Sequence, residues 1–347
     1  MNRPQALEPL NNPSDFLEMG LQIIKSDKPQ LAVALVDKVL ARHGKAQPWA
    51  GIASIIMNET VPEFHGFMLR DFIRNRTYRR AIERFAKDRV VLDIGTGSGL
   101  LAMMAARAGA AHVYACEVNP ILAASAQSVV DANDLSDKIT IYAKHSAKLD
   151  ALSDLGGGVD LVVSEIFSDS LLSEGVLPSL DHARNHLCRP DAVMLPDQAS
   201  IMVGLADFHG EPAHPETVEG FDVSRFQRHM NTVEHSAASN TKLSLRSEPA
   251  ELFRFNFNMK TPQAQTGQNE LILERREGHV QGVAQWIRLQ FAPDLTYENQ
   301  PGGDACLHWQ INLIEAQSAL PDNDNPIRVG GWYSKASPLI WCETTPP

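Results

Sequence analysis

Residues 90–101 read VVLDIGTGSGLL. A run of β-branched and aliphatic residues leads through Asp93 into glycines at 95, 97 and 99, and the Ala/Met/Leu-rich stretch that continues through Ala108 has a helical composition. A strand that turns through glycines directly into a helix opens a βαβ unit. The pattern continues downstream. Residues 113–117, 139–142 and 159–163 are further short buried-strand candidates, and a helix is expected from about residue 120 to 133. Strands alternating with helices imply parallel pairing in an open sheet covered on both faces, a Rossmann-like α/β domain.

The glycine spacing narrows the ligand. A dinucleotide fingerprint places its third glycine at position 100, where this chain has Leu100. A dinucleotide needs a helix N-terminus aimed at its pyrophosphate. S-adenosylmethionine carries no phosphate and needs only close backbone approach, which residues without a Cβ allow. Asp93 can hold either a loop amide or the amino acid end of such a ligand, and Glu117, ending the second strand, is placed to accept both ribose hydroxyls. S-adenosylmethionine is therefore the expected cofactor, and a nicotinamide dehydrogenase is the alternative for the glycine motif taken alone.

On either side of this domain the periodicity changes. Phe16, Leu17, Leu21 and Ile24 follow a Ser14 cap, and Leu31, Leu35, Val39 and Leu40 run between Pro29 and Gly44, which together make a helical hairpin. Residues 68–85, rich in arginine and aromatics, are expected to form one helix. Beyond Pro196, residues 253–257, 286–291 and 309–314 alternate with period two, as half-exposed antiparallel strands do. The predicted organisation is a hairpin appendage over 1–48, a cofactor domain over 49–196 and an antiparallel, β-barrel-like domain over 197–347. A polar excursion at 207–247 reads as an arm that reaches another subunit or as a mobile loop.

Composition sets the outer limits. With 347 residues, 44% hydrophobic and 21% charged, the chain can bury one large or two medium cores. Forty-two acids against 31 bases leave a net charge of -11, which argues against a nucleic-acid partner and suits a cationic substrate. Cys116, Cys188, Cys306 and Cys342 show no C-x-x-C pair or zinc-like spacing, so reduced thiols and no metal are expected. Pro4, Glu8, Pro13 and Asp15 interrupt any export signal, and no run of about 18 apolar residues occurs. The expectation is a cytoplasmic protein without membrane contact.

Residues 163–179, VSEIFSDSLLSEGVLPS, set Glu165 and Glu174 nine residues apart. Glu165 directly follows the fourth strand candidate, at the end where open α/β sheets place their ligand crevice. Two carboxylates in one small site repel each other unless a cation lies between them. A guanidinium, planar and rich in N–H donors, fits that place. Arginine is also a poor nucleophile, its pKa lying above about 12. Carboxylates bonded to some of its nitrogens would draw the positive charge away from the attacking one and hold that nitrogen in line with a sulfonium methyl. Taken alone, the two glutamates also read as a loop cap and a solvated charge.

In combination, residues 90–110 (VVLDIGTGSGLLAMMAARAGA), 164–175 (SEIFSDSLLSEG) and 306–309 (CLHW) resemble, in that order, the cofactor loop, the double-glutamate loop and the Thr-His-Trp loop of the protein arginine N-methyltransferases. The resemblance runs from about Pro62 to the C-terminus, and the Glu-Ile-Phe form of the second motif is nearest the monomethylating branch. It implies that Glu165 and Glu174 clamp the guanidinium, with His308 and Trp309 beside them. His65, Met68, Asp71 and Arg74 match the family's H-x-x-M-L-x-D-x-x-R motif. By that match Arg74 binds the cofactor's carboxylate, Met68 lies against the sulfonium, and Asp71 pairs with His308 to relay the proton lost by the methylated nitrogen. His65, Gly95, Gly97 and Gly99 complete the cofactor set, and Ser146 stands on the adenine side where many relatives carry an acid. Leu307 replaces the usual threonine, and residues 49–63 lack the tyrosine of the family's closing helix.

Residues 220–223, Gly-Phe-Asp-Val, resemble the entry to the family's dimerisation arm, so the resemblance implies a homodimer. The implied substrate is an arginine in a protein or peptide, with free L-arginine the alternative. Two other classes are a non-catalytic binding module, opposed by the intact Asp93, Glu117, Glu165, Glu174 and His308, and a methyltransferase for an oxygen or carbon acid, for which paired glutamates are electrostatically wrong.

Overall fold

The computed structural model describes residues 12–59, 64–208, 217–229, 233–235, 243–259, 261, 263–303, 309–316, 320, 325–335 and 337–344. The chain forms two compact units, one of Met1–Phe67 with Ile82–Ser164, the other of Met68–Ala81 with Glu165–Pro347.

The first unit opens with α1 (Pro13–Ile24), α2 (Leu31–His43) and α3 (Trp49–Asn58). Asn12 caps α1 by accepting the Ser14 N–H, and Pro13 fills the first turn, where no amide donor is needed. Phe16, Leu35, Val36, Val39, Trp49 and Ile56 form one buried cluster. The hairpin read from sequence thus has a third helix, α3, which the sequence reading assigned to the next domain. Gly20 permits the close approach of α3, since a Cβ there would lie 2.3 Å from the Ile56 side chain.

Next come α4 (Phe64–Arg70) and α5 (Phe72–Phe85). The single helix expected over 68–85 is broken at Asp71, whose carboxylate accepts the Arg74 N–H at 2.8 Å and so caps a new helix. Strands β1 (Val90–Ile94), β2 (His112–Cys116), β3 (Ile139–Tyr142) and β4 (Val159–Ser164) run parallel in the order β3-β2-β1-β4. Ile94 lies opposite both Cys116 and Ser164, so the carboxyl ends of β1, β2 and β4 finish level. Helices α6 (Leu100–Arg107) and α7 (Pro120–Asp131) follow β1 and β2. The Ser128 hydroxyl of α7 donates to Asp37 of α2 at 2.9 Å, tying the helical cluster to the sheet domain.

In the second unit α8 (Val176–His182) precedes the strands β5 (Cys188–Leu195), β6 (Gln198–Phe208), β7 (Thr217–Val218), β8 (Phe221–Asp222), β9 (Val233–His235), β10 (Leu243–Leu245), β11 (Ala250–Asn256), β12 (Gly267–Leu273), β13 (Gly282–Ala292), β14 (Leu295–Glu298), β15 (Ile311–Glu315), β16 (Ile327–Tyr333) and β17 (Pro338–Thr344). A seven-stranded antiparallel sheet runs β10-β6-β13-β15-β9, with β11 also on β6 and β14 also on β13. Strands β12, β16 and β17 make a second antiparallel sheet. The half-exposed strand expected over 286–291 is in fact mostly buried, within a β13 that pairs with β6 on one side and with β15 and then β14 on the other. Among the described residues, no helix is long and apolar enough to cross a membrane.

Phe16→Ala would empty the centre of the three-helix cluster at a cost of about 3–5 kcal/mol. Hydrogen exchange should then show lost protection in α1–α3 while the amides of β1–β4 keep theirs.

Candidate active site

In the first unit the turn after β1 is held open by glycine. Gly95, Gly97 and Gly99 have φ of 73°, 54° and 79°, left-handed values that a side chain would oppose. Asp93, fully buried at the end of β1, accepts the Thr96 hydroxyl at 2.6 Å and the Ala102 N–H at 3.1 Å. Of the two roles read from sequence, holding the loop is therefore the one these bonds show. Glu117 follows β2; one carboxylate oxygen accepts the Gly97 N–H at 3.1 Å and the other the Asn119 N–H at 2.9 Å. Each oxygen has capacity for a further donor, so a ribose diol fits there without displacing the loop.

His65 comes to the same turn, its ring 3.6 Å from where a Gly97 Cβ would stand. Burial lowers its pKa and the nearby Glu117 only partly offsets this, so the ring is neutral at neutral pH. Ser146 is buried at the start of a short helical turn, beside His145, whose ring accepts the Ala147 N–H at 3.1 Å. Burial also pushes the Cys116 thiol up to about 12, leaving it unreactive at this edge. Glycines at positive φ, a backbone-bonded carboxylate and a neutral imidazole fit S-adenosylmethionine, which brings no phosphate to be paired.

The second unit holds the double-glutamate loop. Glu165, one peptide bond beyond the last residue of β4, is buried, and Arg74 donates to it at 2.5 Å. The other end of the Arg74 fork donates to Asn75 at 2.7 Å, and its guanidinium lies 5.0 Å from the centre of the Tyr78 ring. Burial works against the Arg74 charge, but Glu165, Tyr78 and Asp71 outweigh it and hold the pKa above the ordinary arginine value. Asp71 is buried as well; besides capping α5 it accepts the Tyr297 hydroxyl at 3.1 Å. Met68 is half-buried, its carbonyl accepting the Asp71 N–H at 3.2 Å.

Further along, the Trp309 indole donates to the Phe167 carbonyl at 2.8 Å, and the Gln310 N–H donates to the Asp169 carboxylate at 2.7 Å. Gln285 donates to the Asp169 carbonyl at 2.9 Å. Between these anchors and Glu174 lies Leu171, buried with φ of 74°. Glu174 itself is exposed. The structure thus joins Glu165, Arg74 and Asp71 and ties Trp309 to their loop, at whose far end Glu174 is exposed. His308 lies outside the described residues. Tyr297, Asp169 and Gln285 escaped sequence reasoning, because their contacts span 226, 141 and 116 residues and no local pattern announces them.

Several known proteins are similar to this chain. A family model described as ribosomal protein L11 methyltransferase (PrmA) matches residues 80–180. An arginine N(omega)-methyltransferase of Streptomyces achromogenes subsp. streptozoticus is 38% identical over 299 residues, which cover 84% of this chain and 79% of that protein. Protein arginine N-methyltransferase 7 of Oryza sativa subsp. japonica is 32% identical over 263 residues, and there the chain spans 36% of the relative's length. Among solved structures, the Trypanosoma brucei PRMT1 enzyme-prozyme complex with AdoHcy matches with a TM-score of 0.67 at 23% identity, covering 81% of this chain and 98% of that one. A PRMT6-SAH crystal structure matches with a TM-score of 0.64, also at 23% identity, covering 81% and 99%. At that identity the structures speak for the fold.

Asp93→Ala would strip an acceptor from two donors inside the turn, a loss of about 1–3 kcal/mol. Calorimetry should show S-adenosylhomocysteine binding weakened by about tenfold or more.

Proposed function

The chain belongs to the arginine N-methyltransferase family, and from that premise we propose that it transfers one methyl group from S-adenosylmethionine to a terminal guanidino nitrogen of L-arginine. The observation that carries the guanidinium reading is Glu165, a buried carboxylate that already accepts a guanidinium N–H, from Arg74. The bound cofactor supplies an electrophilic methyl carbon on a sulfonium. Glu165 and Glu174 bond the substrate nitrogens that are not methylated, so that positive charge shifts toward them and the third nitrogen regains nucleophilic character. Arg74 is the buried positive charge with which Glu165 is paired. By the family resemblance, Asp71 and His308 lie on the route of the proton that the methylated nitrogen loses.

Free L-arginine was the alternative in the sequence reading, and the lengths of the relatives favour it. The relative matched along most of both chains is named for arginine, whereas the one named for protein arginine is matched over 36% of its length. The same sequence likeness to methyltransferase 7 supports a single methylation. A reducing, cytoplasmic setting suits the free thiols of Cys116, Cys188 and Cys342.

Labelled S-adenosylmethionine offered with L-arginine and with an arginine-rich peptide, followed by mass analysis, decides the owner of the guanidinium. We expect one methyl group on free arginine; label in the peptide alone would return the substrate to protein arginine. In the same assay Glu165→Gln should cost about 10²–10³-fold in kcat, with S-adenosylhomocysteine affinity nearly unchanged. Retained turnover would remove Glu165 from the mechanism.

We further propose a homodimer formed through the 207–247 arm. Its described residues include Val218, Phe221 and Phe226, large apolar side chains that are 45%, 73% and 60% exposed. Phe221→Asp should give monomers in light scattering where the unaltered chain gives dimers.

A further inference from the structure

We propose that Tyr297 is a positioning residue of the methyl-transfer site, acting through Asp71 to hold Arg74 and Glu165 in place; the inference rests on the arginine methyltransferase reading. Tyr297 sits on β14 opposite Leu289 of β13 and is 2% exposed. Its hydroxyl donates to one oxygen of Asp71 at 3.1 Å. The other Asp71 oxygen accepts the Arg74 N–H, and the Arg74 side chain donates to Glu165. One phenol therefore braces the residue that starts α5, three positions before the guanidinium paired with Glu165.

The neighbours of Tyr297 keep its hydroxyl from swinging away. Glu298 accepts the Trp286 indole N–H at 2.7 Å and the Arg288 Nε–H at 2.8 Å. Asn299 accepts the Ile287 N–H at 2.9 Å and donates to the Trp309 carbonyl at 3.3 Å. The Tyr297 ring meets Trp309 edge to face, with centroids 5.2 Å apart, and Trp309 in turn donates to Phe167 two residues after Glu165. The contacts close a ring from Glu165 through Arg74, Asp71, Tyr297 and Trp309 back to the loop that carries Glu165. A phenol buried only for packing needs any acceptor. This one takes the carboxylate that the start of α5 depends on.

Tyr297→Phe keeps the ring and its contact with Trp309 and removes only the hydroxyl. Kinetics on whichever arginine substrate the unaltered protein methylates should show kcat about tenfold lower, with KM for S-adenosylmethionine within about twofold. In an Asp71→Asn background the same change should add less than about twofold, because the two act as one unit. A kcat within twofold of the unaltered protein, or an undiminished effect in the Asp71→Asn background, would overturn the proposal. If the unaltered protein methylates no arginine at all, it is the functional reading that fails. The pair is then tested by thermal unfolding of the same four proteins, where additive midpoint shifts would overturn the coupling.

Discussion

The buried pair between Arg74 and Glu165 is the interaction around which the loop after β4 and the start of α5 are arranged. A carboxylate taken out of water needs a charge partner and hydrogen bonds, and a buried arginine needs the same in reverse. Each supplies what the other lacks. Breaking such a pair leaves an uncompensated buried charge, typically at a cost of about 3–5 kcal/mol. The loop after β4 and the start of α5 are therefore committed to each other: Glu165 brings the loop, and Arg74 brings the helix that Asp71 caps. The second unit collects residues 68–81 with the chain beyond Glu165, although the two stretches are far apart in sequence.

The glycine turn and the Glu165 loop are built by different means. Around the cofactor turn the protein works with backbone: glycines at positive φ, and two acids whose bonds are to amides and a hydroxyl within 20 residues of them. Around the Glu165 loop it works with side chains delivered by a large antiparallel sheet, where Gln285, Tyr297 and Trp309 reach in from β13, β14 and the turn before β15. The first arrangement is local and compact; the second depends on strand register.

That difference explains what could be read from the sequence. The β1 turn, the strand alternation and the loop-holding role open to Asp93 were legible because strand, glycine and helix signals lie within a dozen residues. The break at Asp71 was not, since Phe72 continues the helical composition and only the bond to the Arg74 amide shows a new cap. Nor was the burial of β13, whose alternation over 286–291 suggests a half-wet strand although it lies inside the sheet with β6 and β14 as neighbours. The third helix of the N-terminal cluster was hidden for the same reason: Trp49, Ala53 and Ile56 acquire meaning only against Phe16 and Leu35. Nor does the sequence reveal that the two glutamates differ in burial, Glu165 being buried and Glu174 exposed.

Leu171 lies between the two glutamates, buried with a left-handed backbone. A leucine with a left-handed backbone carries roughly 1–2 kcal/mol of conformational strain, and such strain persists only where surrounding contacts over-determine the chain. Here the Phe167 and Asp169 anchors fix the strand side, while the buried Leu171 side chain fixes the turn. Slackening either anchor would let Leu171 relax toward an extended backbone and shift the stretch that leads to Glu174, so the path of this loop depends on a residue that carries no charge.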